Sequence, residues 1–329
     1  MKLPRRRFLH LAAGAVALPA VSRIARAQAY PTRPITMIVP FTAGGGIDVT
    51  GRVLADRMRR SLGQPVIVEN VTGGDGNIAT DRAVRARADG YTIEIGIIST
   101  HALNSAFYSL SYDVLNDFAP ISPIVTFPGV YFGRKTLPAK DLPELIAWLK
   151  ANPDKASLAV VGTGGLDQIV GAYFQQQTGT RFHFVPYRGG GPAIQDLVAG
   201  HVDLRFDPVS GSLAQVRSGQ LKAYAVLAKI RVTAAPDVPT TDELGVLGLH
   251  VTFWYGLWAP KGTPKPIIDK LSAAVAEAFN DPAVQRQIAE LGAEAPPPEL
   301  RTAEAFGAFH KAEVEKWWPF IKATNVKLE

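Results

Sequence analysis

Short apolar runs alternate with stretches of 3.6-residue periodicity from Ile35 onward. Residues 35–39 are Ile, Thr, Met, Ile and Val, stopped by Pro40, and Val49, Val53, Leu54 and Met58 then follow at helical spacing. Residues 66–68 and 91–98 are two more buried-strand patterns, with a helix predicted over 78–87 between them. Strands alternating with helices in this order predict parallel pairing through helical crossovers, and so an α/β fold.

A second lobe is expected to begin near Pro128. Asp141, Pro143 and Glu144 form a capping box with proline in the first turn, opening a helix whose apolar side is Leu145, Ile146 and Leu149. Strands are predicted over 157–161, 182–186 and 221–226, with helices over 168–177 and from Pro192 to a stop at Gly200. Residues 201–206 alternate as a further strand, with Val202, Leu204 and Phe206 on one face and His201 on the polar one. After Val226 the chain is expected to return to the first lobe. The lobes are then residues 30–127 plus 227–329, and residues 128–226. The tail reads as helices opened by Pro264 and Pro282 and a last one carrying Phe306, Phe309, Val314, Trp317 and Ile321. In that helix Trp317 and Trp318 read as packing, and His310 as a surface residue.

The 329 residues are 47% hydrophobic and 19% charged, which excludes general disorder and is too long for one compact core of ordinary size. The absence of cysteine removes disulfides, thiolate catalysis and Cys-ligated metals. The net charge of +6 belongs to the first 29 residues. Arg5, Arg6 and Arg7 precede an apolar stretch from Phe8 to Val21, too short for a membrane span, and Ala27-Gln28-Ala29 is a small-x-small cleavage pattern. The arginines before Phe8-Leu9 resemble a twin-arginine export signal, and a general secretory signal is the other reading. Cleavage after Ala29 lowers Lys+Arg from 35 to 29 against 29 acidic residues, leaving no net charge and no electrostatic footprint for nucleic acid. The expected location is the periplasm.

Candidate chemistry lies in four glycine clusters, at residues 42–46, 73–76, 162–165 and 189–191, each between a strand and a helix. Such turns present backbone N–H groups at a helix N-terminus and attract an anion without Arg or Lys; tight turning alone is the plainer explanation. Nucleotide motifs fail here. Residues 44–49 lack the third glycine of a dinucleotide fingerprint, and Arg52-Val53 stands where a phosphate-binding loop has Lys-Ser/Thr. The histidines at 101, 183, 201, 250 and 310 have no metal-ligand spacing, and Ser210 before Gly211 lacks a hydrolase elbow. No cofactor or metal is expected.

These blocks resemble the Bug family of solute-binding proteins of tripartite tricarboxylate transporters. Residues 39–48 (VPFTAGGGID) are similar to its first loop. Residues 68–70 with Gly73, Gly76, Asn77 and Ile78, then 89–92, 100–104, 185–193, 200–203, 206–207 and 254–264, resemble its later blocks. The resemblance implies a two-lobe, periplasmic-binding-protein-like fold, each lobe a mostly parallel sheet flanked by helices and joined by crossing strands. It implies a carboxylate gripped by backbone amides of the first loop and of residues 162–165, a monomeric receptor, and membrane transporter subunits as partners. An exported hydrolase or isomerase of carboxylic acids using the same cleft, or a ligand sensor, is the competing reading.

Expected ligand contacts are therefore Thr42, Gly44 and Gly45, through backbone or hydroxyl. Gly162, Thr163, Gly164 and Gln168 are expected on the second loop. Ser99, Thr100 and Asn104 serve as contacts or caps. Asp48 caps a helix or meets a ligand amino group, and Asp207 holds such a group or braces a loop. Phe41 and Trp254 line the crevice or pack in the core, and Arg188 is solvated or supplies charge. Where the family often has G-x-G-T-P-x-H, this chain has Gly165, Leu166 and Gln168 at the Thr, Pro and His positions, and Ile47 stands where Thr or Ser is frequent. Loss of polar anchors predicts a larger or more apolar ligand, such as an aromatic or branched monocarboxylate.

Overall fold

In the computed structural model β1 (Ile35–Val39) pairs in parallel with β2 (Val66–Asn70) on one side and β3 (Thr92–Ile97) on the other. Residues 30–161, 165–187 and 190–323 are described, so the export signal expected over 1–29 lies outside them. The crossovers are α1 (Gly46–Leu62) and α2 (Asn77–Val84). Helix α1 buries Leu54, Met58 and Leu62 at i, i+4 spacing and ends at Gly63, whose positive φ lets its N–H reach the Arg59 carbonyl. A π-turn (Ser99–Leu103) and the short α3 (Asn104–Phe107) follow β3.

The other half repeats the plan. After α4 (Leu142–Ala151), strand β5 (Ser157–Val161) pairs in parallel with β6 (His183–Tyr187) and β7 (Leu204–Pro208). The crossovers are α5 (Leu166–Thr178) and α6 (Gly190–Ala199). The Asp141 carboxylate accepts the Glu144 N–H at 2.9 Å, and the Glu144 carboxylate accepts the Lys140 N–H at 3.0 Å, so the capping box closes one residue early. Pro186 is tolerated because β6 is an edge strand. The strand predicted over 201–206 begins only at Leu204, residues 201–203 being bends. Its alternation fails because β7 lies between β5 and a long strand over Phe118–Arg134 and is covered on both faces: Leu204, Arg205 and Phe206 are all buried.

Two elements absent from the sequence pattern join the halves. Strand β4 (Phe118–Arg134) runs through both, and β9 (Thr252–Pro260) pairs antiparallel with β3 and with β4. Pro120, Pro123 and Pro128 hid β4; the first two sit where its register with β9 slips, so the missing N–H groups fall at bulges. Residues 118–128 of β4 pair with β9, whereas from Gly129 on it pairs with β7 and then with β8 (Leu221–Val226). Gly129 is required at this change of partner: a Cβ there would lie 2.2 Å from the Phe206 ring. Helix α7 (Val209–Arg217), also unpredicted, follows β7. The tail folds as α8 (Lys265–Phe279), α9 (Pro282–Glu290) and α10 (Ala303–Ala323).

Helix α10 touches both halves. Trp318 Nε1 donates to the Ala102 carbonyl at 3.0 Å, and the Phe320 ring meets Tyr173 of α5 edge-on at 5.0 Å. His310, expected at the surface, is 4% exposed; its Nε2 donates to the His101 carbonyl at 2.6 Å. The period of α10 places it on the apolar face, where this one hydrogen bond satisfies it. The His101 ring stacks on Trp258 at 3.8 Å, and burial lowers the pKa of both histidines, so they are neutral at pH 7.

Beside them Glu94 is fully buried, accepts the Thr80 hydroxyl at 2.7 Å, and has its pKa pushed up to about 8 by burial. The native state therefore keeps a proton that the unfolded chain releases near the ordinary carboxylate pKa. Stability then falls as pH rises between those two values, by about 1.4 kcal/mol per pH unit. Glu94→Gln is expected to remove that fall. Its denaturation midpoint should gain on the wild type between pH 5 and 8 in urea melts; parallel profiles would contradict a buried neutral Glu94.

Candidate functional site

The parallel strands of both halves end at one cavity of about 320 Å³, within the range of small-molecule sites. Phe41 follows β1, Asp75 follows β2, Ile97 ends β3, Val161 ends β5, and Phe206 and Asp207 end β7; all line it. Leu103, Phe107 and Leu166 add apolar walls. Phe253, Trp254 and Tyr255 of β9 cross beneath, and Phe206 stacks on Phe253 with ring centroids 5.3 Å apart. A crevice beyond the carboxyl ends of strands is where α/β sheets hold ligands.

The first loop is braced from behind. Asp48, buried in the first turn of α1, accepts the Gly44 N–H at 2.8 Å, Arg52 Nε at 3.0 Å and Asn70 Nδ2 at 2.9 Å. The Arg52 hydrogen bond, more than any other contact, lowers its pKa to about 2. Asn70 Nδ2 also donates to the Phe41 carbonyl at 2.9 Å, fixing the residue that lines the cavity. Asp75 adopts φ 51° between Gly74 and Gly76 and is held by the Tyr108 hydroxyl on its carboxylate and by Asn104 Nδ2 on its carbonyl at 3.0 Å. Tyr255, its pKa pushed up to about 12 by burial, keeps a neutral hydroxyl close to Gly46 at the N-terminus of α1.

Charge enters from the second half. Asp167 folds back so that its carboxylate accepts the Val161 N–H and, at 3.0 Å, the Gln168 N–H. Burial raises its pKa to about 6, with Asp207 adding to the rise and Arg205 opposing it. Arg205, 2% exposed, donates through Nε to Asp207 at 3.1 Å and places Nη2 at 3.1 Å from the other carboxylate oxygen. Burial raises the Asp207 pKa against that cation. Among the described residues no group of three His, Cys, Asp or Glu could hold a metal ion, and no helix is long and apolar enough to cross a membrane.

The model of the tripartite tricarboxylate transporter family receptor matches residues 50–326. The chain belongs to this receptor family. The Bug resemblance holds: Protein BugT of Bordetella pertussis is 36% identical over 316 residues, covering 95% of this chain and 96% of that one. The structure of periplasmic binding protein BugD superposes with a TM-score of 0.76 at 38% identity, covering 91% of this chain and 99% of that chain. MatC from Rhodopseudomonas palustris, with bound malate, superposes with a TM-score of 0.77 at 35% identity, covering 89% and 100%.

Of the residues expected to meet a ligand, this receptor brings Phe41, Ser99, Asn104 and Asp207 together at the cavity, with Trp254. Thr42, Gly44 and Gly45 are exposed on the first loop and do not line it; the Gly44 amide, expected for the ligand, is taken by Asp48. Asp48 is itself 2% exposed and lies behind the loop. Thr100 turns inward, its hydroxyl within 3.1 Å of both the Ile97 N–H and the Ile97 carbonyl. Gln168 stands one position past the wall. Gly162, Thr163, Gly164 and Arg188 lie outside the described residues. Ile47 packs in the core beneath α1, so it adds no apolar surface to the site, whereas Leu166 does.

Sequence reasoning missed Arg205, Asp167, Tyr255 and Asp75. The one available signal was the opposite charges of Arg205 and Asp207 two positions apart, on one face at the end of a strand.

Glycine is needed at position 165, just before α5, because a Cβ there would lie 2.8 Å from the Val161 carbonyl and 3.0 Å from the Asp167 carboxylate. Gly165→Ala is expected to push the carboxylate off its backbone donors and to cost about 1–3 kcal/mol. A urea melt of that variant matching wild type would show that the turn tolerates the methyl group.

Proposed function

We propose that the protein is an exported, non-catalytic receptor that captures a small carboxylate-bearing solute in this cavity and passes it to the membrane subunits of a tripartite transporter. The observation that carries the reading is the cavity at the joint strand ends, in a chain of the receptor family. The halves on either side of the β4 partner change act as lobes, residues 30–127 plus 227–329 and residues 128–226, closing on the solute. Export proceeds through residues 1–29, removed after Ala29, and the receptor works as a monomer.

The walls favour an aromatic or branched monocarboxylate. Phe41, Phe107, Leu166, Phe206 and Phe253 offer apolar surface that a citrate-like polyanion cannot use. Titration of benzoate, phenylacetate, 3-phenylpropanoate and 3-methylbutanoate against malate and citrate is expected to rank a monocarboxylate first, with the ligand recovered chemically unchanged. Tighter citrate binding would refute the ligand class, and consumption of the ligand would make the protein an enzyme.

Binding is expected to tighten as pH falls from 8 to 6. Asp167 takes up its proton near pH 6, removing a negative charge from the wall while these ligands, whose pKa values lie near 4–5, stay ionised. Calorimetry across that range should show proton uptake on binding; affinity independent of pH would count against an anion beside Asp167.

A further inference from the structure

Among the described residues four charged side chains line the cavity: Arg205 and the carboxylates of Asp75, Asp167 and Asp207. Asp207 engages Nε and Nη2 of Arg205, but Nη1, equally buried, has no hydrogen-bond partner among the described residues. A guanidinium carries five donors in a fixed fork, and burial without a partner is unfavourable, so an unfilled arm is an acceptor site in waiting. The guanidinium also lies against the first turn of α6: a Cβ on Gly190 would come within 3.2 Å of Nη2. The N-terminus of α6 thus adds a second positive end on the Nη2 side of the fork.

We propose that Arg205 is the anchor for the solute carboxylate, which accepts from Nη1, and that the surrounding aspartates limit the site to one negative charge. The proposal rests on the receptor reading and deepens it to a specificity rule. Among the described residues one cation stands with three carboxylates, of which Asp207 is already paired with it. A monoanion completes the fork of Arg205, whereas a second carboxylate would have to face Asp75 or Asp167 in a largely apolar cavity. The far end of the solute is then neutral or cationic, set against the aromatic floor.

The test pairs the tightest monocarboxylate of the panel with its primary amide, which has the same shape and no charge. In wild type the amide is expected to bind at least 100-fold more weakly. Arg205→Lys keeps the charge that Asp207 needs but loses the fork; it should weaken the acid at least tenfold and leave the amide unchanged, collapsing the preference. Asp207→Asn removes one negative charge from the wall and should improve malate relative to the monocarboxylate by tenfold or more. This second variant decides the question if Arg205→Lys does not fold. An Arg205→Lys protein with the wild-type acid-to-amide ratio, or one losing both ligands equally, would overturn the anchor. Unchanged malate discrimination in Asp207→Asn would overturn the charge limit. A wild type that binds no carboxylate of the panel would instead sink the receptor reading itself.

Discussion

The structure depends on one strand that serves two sheets. Between Pro128 and Gly129, β4 exchanges β9 for β7 and β8, and the Phe206 ring occupies the space a side chain at Gly129 would need. That ring stacks on Phe253 of β9, so the joint between the halves is also the floor of the cavity. Because each half is parallel near its centre, its strand ends and helix starts point one way, and joining the halves through β4 and β9 turns both sets toward one hollow. Helix α10 reinforces the joint by contacting the π-turn on one side and Tyr173 on the other.

Main-chain donors at two of the glycine turns are taken by the protein's own side chains. The first loop spends its Gly44 amide on Asp48, and the turn before α5 spends the Val161 and Gln168 amides on Asp167. In both places an aspartate in the first turn of a helix satisfies donors that would otherwise be free for a ligand, which is the usual fate of helix N-termini in water. Polar side chains that line the cavity are held by other side chains: Asp75 by Tyr108, and Arg205 by Asp207. Rigid support of this kind reduces the ordering cost of binding.

Much of the fold was legible because its determinants are local. Apolar runs ended by proline or glycine marked β1 and β5, and the Asp141 and Pro282 starts marked α4 and α9. The failures share a cause. Prolines concealed β4 because their missing N–H groups are tolerated only through bulges against β9, a strand more than a hundred positions away. His310 resembled a surface residue until α10 packed against His101, 209 positions distant.

The amino-acid sequence by itself determined the alternation of strands and helices, the glycine turns at strand ends and the family to which the chain belongs, since each is written in neighbouring residues. Which side chains face the hollow was decided only by tertiary structure. Phe41 and Thr42 are adjacent, yet one lines the cavity and the other is exposed, because Asn70 from the next strand holds the Phe41 carbonyl. Arg205 became a buried cation at the site only when β4 and β5 closed on either side of β7. Burial, and with it the energetic weight of a charge, belongs to the packed chain.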